Sequence, residues 1–308
     1  MSQDDPVAEF SAHRARLFGL AYRLLGSAAD AEDIVQEAFL RWSGADRAVI
    51  AAPGAWLAKA VTNLCLNQLS SARVRREQYV GPWLPEPVSV ADGSLGPMES
   101  VQQRESVSMA FLALLEQLTP MERAVFVLRE AFGYDHRSIA ETLECSQANS
   151  RQVHRRAALR LQDSRARFEP DRAAQQRLVE RFLAAARDGD LARLERLLAA
   201  DVVSWSDGGG KASAARHPVA GGARVARLIA GLLRKAPDEV AVRVREVNGG
   251  PALVVCSGAD LLLVMLPQVT GGRISALRSI TNPDKLRFLD RQLAAAVSHH
   301  GGLSGLSG

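Results

Sequence analysis

From Phe10 to about Arg76 the apolar residues recur at helical spacing: Phe18, Tyr22 and Leu25, then Ile34, Ala38 and Trp42, then Trp56, Ala60 and Leu64. A period of three to four residues marks one buried face per helix. Gly26 and Pro53-Gly54 interrupt it, so separate helices are predicted. The period disappears across YVGPWLPEPVSVADGSLGP, residues 79 to 97, where four prolines and three glycines predict a linker. Tyr79, Trp83 and Leu84 are large for a solvated tether, and part of the segment is expected to dock. Helical spacing resumes over residues 99–168 at Met109, Leu112, Leu115 and Leu118. Thr119-Pro120 stands there as N-cap and first helical residue.

After Glu169-Pro170 the pattern changes. Two helices are expected at about 172–187 and 190–199, then Val202, Val203 and Trp205, a glycine run, and a helix near 221–234. Strand-like stretches follow at 239–247, 252–257, 260–266 and 272–281. Helices followed by a strand meander imply an α+β domain with an antiparallel sheet. The tail, HHGGLSGLSG, has no core-forming face and reads as disordered. The expected fold class is therefore multidomain: a helical bundle over 1–78, a linker over 79–98, a helix-turn-helix unit over 99–168, an α+β domain over 169–294, and a disordered tail over 295–308.

Within the second helical unit, Ile139, Ala140 and Leu143 form the buried face of one helix. A turn at Glu144-Cys145 leads to Ser146, a good N-cap for the next. On that helix Ser150, Val153, Ala157 and Leu161 pack inward and leave Asn149, Arg151, Gln152, Arg155 and Arg156 outward. Between Ser146 and Phe168 six arginines (151, 155, 156, 160, 165, 167) face one acid, Asp163. A charge run alone is often a solvated face, but beside this turn it suits DNA phosphates and base edges. Arg151, Gln152 and Arg155 are placed to read bases; Arg156 and Arg160 are assigned to phosphates.

Composition adds limits. The 308 residues carry a net charge of +4 with a pI near 9.2, compatible with a polyanionic partner. No apolar run approaches the roughly 20 residues needed to span a bilayer, and the acidic start MSQDDPVAEF lacks a signal-peptide core. A cytoplasmic location without membrane association is expected. Cys65, Cys145 and Cys256 are widely spaced, which suggests neither a disulfide framework nor a metal site. No cofactor and no metal are expected.

RLFGLAYRLLGSAADAEDIVQEAFLRW (16–42) and PGAWLAKAVTNLCLNQLSSARVRRE (53–77) resemble region 2 of bacterial sigma-70 family factors of the extracytoplasmic-function group, and residues 117–163 resemble that group's region 4. The resemblance implies a promoter-specificity factor whose partners are core RNA polymerase and promoter DNA. It implies polymerase docking by Glu32, Asp33, Gln36 and Glu37, carboxylate-rich as steering toward a basic surface requires. It assigns −10 recognition to the stretch holding Lys59, Asn63, Asn67, Arg73, Arg75 and Arg76, a basic track suited to opened single strands. Trp56 in the same stretch reads either as a stacking platform or, better, as core. Asn67 stands where many relatives carry an acid, and Ser150-Arg151-Gln152 replaces a usual Val-Lys-Ser run.

The remaining residues resemble the SnoaL-like branch of NTF2-like folds. Together with YVGPWLPEP, the segments Asp207-Gly208-Gly209-Gly210-Lys211 and Asn282-Pro283-Asp284-Lys285-Leu286 resemble a sigma subgroup with such a fused extension. That implies control in cis through the linker, with no obligatory anti-sigma protein; a small ligand in the C-terminal pocket stays open. Taken alone, the glycine run is a turn with Lys211 exposed, and Asn282-Pro283-Asp284 a helix start. Two alternatives remain: a ligand-responsive helix-turn-helix regulator, and an isomerase-like enzyme using Asp207, His217 and Asp260. The second is weakened because no tyrosine follows Tyr134 to serve as an oxyanion donor.

Overall fold

The computed structural model describes residues 6–96, 101–162, 171–235, 237 and 239–301. The chain forms two compact units: one from residues 1–78 and 93–165, the other from 79–92 and 166–308.

The first unit is helical. Its first three helices are α1 (Pro6–Leu25), α2 (Ala28–Ser43) and α3 (Pro53–Glu77). Ser27 caps α2 by accepting from the Asp30 amide at 3.1 Å, which supplies one orphan donor at the helix start with a partner. The predicted stripes meet in the core: Tyr22, Leu24, Trp42, Leu57 and Val61 are fully buried. The indole of Trp42 donates to the Pro6 carbonyl at 3.1 Å and so ties the end of α2 to the start of α1. Then follow α4 (Val101–Glu105), α5 (Met109–Leu115), α6 (Pro120–Glu130), α7 (His136–Thr142) and α8 (Gln147–Gln162). Thr119 and Glu122 close a reciprocal capping box at α6 with Pro120 at its start, as the sequence predicts.

Two buried arginines join the bundle to the later helices. Arg123 on α6 donates to the carbonyls of Leu115 (3.0 Å) and Leu24 (2.9 Å) and pairs with Glu116 at 2.7 Å. Arg23 on α1 donates to Ser106 Oγ (2.7 Å), the Gly19 carbonyl (2.8 Å) and the Gln103 carbonyl (3.3 Å). Burial lowers its pKa to about 10. A buried cation is tolerated only when its donors are satisfied.

The second unit packs α9 (Arg172–Arg187), α10 (Leu191–Leu197) and α11 (Gly222–Arg234) on one face of a six-stranded sheet. The strands are β1 (Leu198–Asp207), β2 (Val219–Ala220), β3 (Val240–Val247), β4 (Gly250–Ser257), β5 (Asp260–Thr270) and β6 (Arg273–Ile280), in spatial order β2-β1-β6-β5-β4-β3. Phe182, Leu194, Val225, Leu253 and Leu277 are among the residues that form the core. The fold class is as expected, two helical modules and an α+β domain, with three differences in detail. The sheet is not wholly antiparallel, because β1 lies parallel to β6; the long connection between them, carrying α11 and the strands β2 to β5, supplies the crossover that a parallel pair needs. The second helix stops at Leu197 and the strand begins at Leu198. The tail is helical further than expected: α12 (Pro283–Gly301) includes residues 295–301, anchored by buried Leu286, Phe288 and Leu289. The rest of the expected disordered tail, 302–308, lies outside the described residues.

The segment expected as a single linker is divided. Residues 79–92 belong to the second unit, and residues 93–96 pack with the first, where an added Cβ on Gly96 would lie 3.4 Å from the Arg16 backbone.

Candidate nucleic-acid interface and linker clamp

The predicted linker docking has a specific receptor. Strand β1 ends at Asp207, whose side chain is fully buried. Its main-chain carbonyl accepts from the amides of Thr281 (2.8 Å) and Asn282 (3.0 Å), tying the end of β6 to the start of α12. Its carboxylate accepts from Tyr79 Oη at 2.5 Å through Oδ1, and from the Leu84 amide at 2.7 Å and Lys285 Nζ at 2.6 Å through Oδ2. Lys285, 6% exposed, also donates to the Leu84 carbonyl at 2.5 Å. It lies 4.8 Å from the Tyr79 ring centre and 4.2 Å from that of Trp83. The buried ion pair is thus enclosed by two aromatic faces and peptide groups, the setting in which a desolvated pair is retained.

Asn282 Nδ2 donates to Tyr79 Oη at 2.8 Å, so the phenol bridges amide and carboxylate. Burial, and then the neighbouring Asp207 carboxylate, push the Tyr79 phenol well above its ordinary range, so it stays a donor at neutral pH.

Gly209 explains part of the glycine run. It has φ +56°, and an added Cβ would collide with the Asn282 side chain and lie 2.7 Å from Tyr79 Oη; only glycine permits that approach without strain. Gly208 is similarly crowded by the Ala212 carbonyl and by Ala214 Cβ at 2.8 Å, whereas Gly210, at φ +72°, turns the loop. Lys211 pairs with Asp284 instead of standing free, and it holds the Asp284 carboxyl below its ordinary pKa. Pro283 opens α12 and is exposed, and Leu286 is core. The two predicted segments are therefore brought together on the linker.

A second tie was not visible in the sequence. Val88 exchanges hydrogen bonds with Asn248, its amide to Oδ1 at 3.1 Å and its carbonyl from the Asn248 amide at 2.8 Å. Gln292 accepts from the Ser89 amide at 2.8 Å and donates to the Ser89 carbonyl at 3.2 Å and to Asp92 at 2.7 Å. The one available signal was Asn248-Gly249, a hairpin-turn dipeptide that also places Asn248 at φ 51°.

The helix-turn-helix forms with the expected parts. Ile139, Ala140 and Leu143 are buried, Glu144 turns at φ 51°, and Ser146 Oγ accepts from the Asn149 amide at 3.1 Å. Ser150, Val153, Ala157 and Leu161 face inward. Asn149, Arg151, Gln152, Arg155, Arg156 and Arg160 are exposed. Arg160 differs from the others: its guanidinium is held by the buried Glu122 carboxylate at 2.6 Å. It braces α8 on α6 instead of standing as an unengaged cation. Of the six basic-run arginines, Arg165 and Arg167 lie outside the described residues.

In the bundle, Glu32, Asp33, Gln36 and Glu37 lie on the outer side of α2, with Glu37 paired to Arg41 at 3.0 Å. Lys59, Asn63 and Asn67 lie at helical spacing on α3, and only Asn67 is fully exposed. Lys59 is engaged by Glu144 of the helix-turn-helix at 2.9 Å. Trp56 is half-buried with its ring 5.6 Å from that of Trp42, which favours the core reading. Arg73, Arg75 and Arg76 fall on the last turns of α3, where side chains lie outside the described residues.

The three residues considered for acid-base chemistry are not brought into one site by any contact among the described residues. Asp207 is locked in the clamp, while His217 and Asp260 are exposed on a loop and at a strand start. Among the described residues no group of three or more His, Cys, Asp or Glu is placed to hold a metal, and no helix is long and apolar enough to cross a membrane.

A sigma-70 region 2 model matches residues 10–75, and a sigma-70 region 4 model matches residues 108–161. The chain is 40% identical over 290 residues to the ECF RNA polymerase sigma factor SigJ of Mycobacterium tuberculosis, covering 91% of this chain and 92% of that protein. It is 36% identical over 300 residues to the probable ECF RNA polymerase sigma factor SigI of the same species, covering 95% and 99%. The crystal structure of M. tuberculosis SigJ matches with a TM-score of 0.74 at 36% identity, over 92% of this chain and 98% of that one.

Proposed function

Because the chain belongs to the extracytoplasmic-function RNA polymerase sigma factors, we propose that its C-terminal domain adjusts transcription initiation in cis, by holding the segment that joins the two sigma regions. Sigma factors of this family bind core RNA polymerase and promoter DNA, and they act as initiation factors, not enzymes. The isomerase-like and stand-alone regulator readings are therefore set aside. The polymerase it serves places its work in the cytoplasm.

The observation that carries the cis reading is the Asp207–Lys285 pair closed over by Tyr79, Trp83 and Leu84. A buried charge pair is a costly way to fasten a loop, and its distinctive property is that losing one member releases the loop. In this reading Asp207, Gly208, Gly209, Gly210, Lys211, Asn282, Pro283, Asp284, Lys285 and Leu286 are the regulatory elements. No separate anti-sigma protein is obligatory, because the restraint is built into the chain. A small ligand acting through the C-terminal domain is compatible with it and is not required.

For promoter recognition, Arg151, Gln152 and Arg155 read the −35 element, with Asn149 and Arg156 beside them. Asn63 and Asn67 with the basic end of α3 serve the −10 element. Glu32, Asp33, Gln36 and Glu37 dock on the polymerase.

The test is reconstitution with core polymerase. Lys285→Met should change the number of transcripts initiated per assembled holoenzyme while leaving core binding intact. Equal initiation by wild type and variant, with the linker demonstrably undocked in the variant, removes the cis reading.

A further inference from the structure

Between Asp207 and Asp238 the chain runs for 30 residues without an acid and carries six cations: Lys211, Arg216, Arg224, Arg227, Arg234 and Lys235. The chain as a whole has 34 acids in 308 residues, so about three would be expected there by the chain average. Four of the six cations fall on or directly after α11, and the structure shows how they are displayed. At about 100° per residue, Arg224, Arg227, Arg234 and Lys235 share an arc of roughly 100° on one side of the helix. The opposite side is buried through Val225, Ala226 and Ile229. The arc extends about 16 Å along the axis at 1.5 Å per residue. All four side chains are exposed, and none makes an ion pair or hydrogen bond among the described residues.

The other helices of this unit are built differently. α9 intersperses Glu180 among its arginines, α10 carries Glu195 beside Arg196, and α12 carries Asp284 and Asp290. A face that only needs solvating gains from mixed signs, whereas like charges one turn apart repel. Arg224 adds to the cost, because it lies in the first turn, at the positive end of the helix dipole. A stripe with no opposite charge paired to it among the described residues works against local stability and is relieved when an anionic surface lies along it.

We propose that the outer face of α11 is a further DNA-contact surface, which binds the phosphate backbone of duplex DNA independently of sequence. Promoter DNA is the polyanion already present in the complexes that this family forms. Three of the four cations are arginines, whose planar fork suits phosphate oxygens. A stripe of about 16 Å corresponds to roughly five base-pair rises at 3.4 Å each, enough for two or three phosphates. The surface offers no base-reading arrangement, so its contribution is affinity and its signature is salt dependence.

The experiment uses the full-length chain and a mixed-sequence 40-base-pair duplex, with binding followed by fluorescence anisotropy from 50 to 300 mM salt. The combined variant Arg224→Gln, Arg227→Gln, Arg234→Gln should bind more weakly at low salt. Its log–log salt slope should be shallower by about two to three, since each phosphate contact contributes about 0.9. Replacing the same arginines with lysine should restore most of the slope. A parallel variant, Arg151→Gln with Arg155→Gln on α8, separates this proposal from the helix-turn-helix: if it alters binding and the α11 variant does not, the α11 surface is wrong and the region 4 reading stands. Equal slopes for wild type and the α11 variant, no duplex binding by wild type at 50 mM salt, or a loss confined to anionic phosphatidylserine vesicles would each overturn the proposal. Circular dichroism melting of each variant guards against a folding artefact.

Discussion

At the residue scale, the structure turns on a few side chains whose burial conflicts with their charge. Lys285 and Asp207 lie almost out of contact with solvent and satisfy each other together with the Leu84 peptide group. Lys285→Met keeps the apolar stem but strands the carboxylate, and breaking a buried pair in this way costs about 3–5 kcal/mol. Tyr79→Phe removes a hydrogen bond to a charged acceptor and should cost less, about 1.5–3 kcal/mol. Denaturant unfolding of the two variants checks the order, and Trp83 fluorescence reports whether the linker has left its seat. A Lys285→Met variant no less stable than Tyr79→Phe would mean that the pair is solvated in solution. The parts of this site visible in the sequence were those with unusual local composition: the aromatic linker around Tyr79 and Trp83, the glycine run, and the Asn-Pro-Asp helix start. Tyr79 and Asp207 stand 128 residues apart, and nothing in either segment's own periodicity says they meet. Asn248 and Gln292 were missed because a turn asparagine and a helix glutamine are ordinary in their local settings, and the linker residues they hold lie 160 and 203 positions away in the chain.

At the element scale, α8 combines an exposed polar edge, proposed to read the −35 element, with a brace to α6 through Arg160. Arg151 is exposed near the start of the helix, and Arg151→Ala should cost about 1–3 kcal/mol on a matched −35 element and little on a mismatched one. Arg160→Ala should act differently from a lost phosphate contact. It frees the buried Glu122 carboxylate, so the unit should melt earlier while promoter discrimination stays close to wild type. Competition binding on matched and scrambled duplexes, beside thermal melts, distinguishes the two. The same helix packs its Ser150 against His136, with Nδ1 and Oγ at 3.0 Å. His136 faces Arg129 from α6, Arg151 and His154 from α8, and Asp135 from its own turn. Burial first, and then the arginines and His154, lower its pKa from the ordinary 6.5. With the folded value depressed, the unfolded chain binds the extra proton below about pH 6.5, so stability falls as pH falls through that range. Replacing His136 by Gln should flatten this acid-side loss in pH-dependent melts; an unchanged slope would assign it to other groups. These helices were readable in advance because caps and periodicity are local. The β1–β6 pairing was not, since alternation marks a strand without naming its neighbour.

At the scale of the whole molecule, family membership sets a distance that the described arrangement does not meet. The −35 and −10 elements are about 25 base pairs apart, or roughly 85 Å along B-form DNA at 3.4 Å per step. The two sigma regions lie within one compact unit, whose length of about 150 residues corresponds to a radius of gyration near 15 Å. Reading both elements at once requires the regions to part. The chain between them runs from Tyr79 to about Ser100, and fully extended it reaches roughly 75 Å. With residues 79–92 fastened to Asp207, Asn248 and Gln292, that part of the span cannot lengthen. Clamp and separation therefore oppose each other. Labels on Ser43 of α2 and Gln147 of α8, both exposed, followed by resonance energy transfer, should show the longer distance more populated in Lys285→Met than in wild type. Addition of core polymerase should bring both to the same extended state. If the clamp variant keeps the wild-type distance while its linker is free by Trp83 fluorescence, the contacts of Arg23 and Arg123 hold the regions together by themselves, and control of initiation passes from the linker to that internal seam.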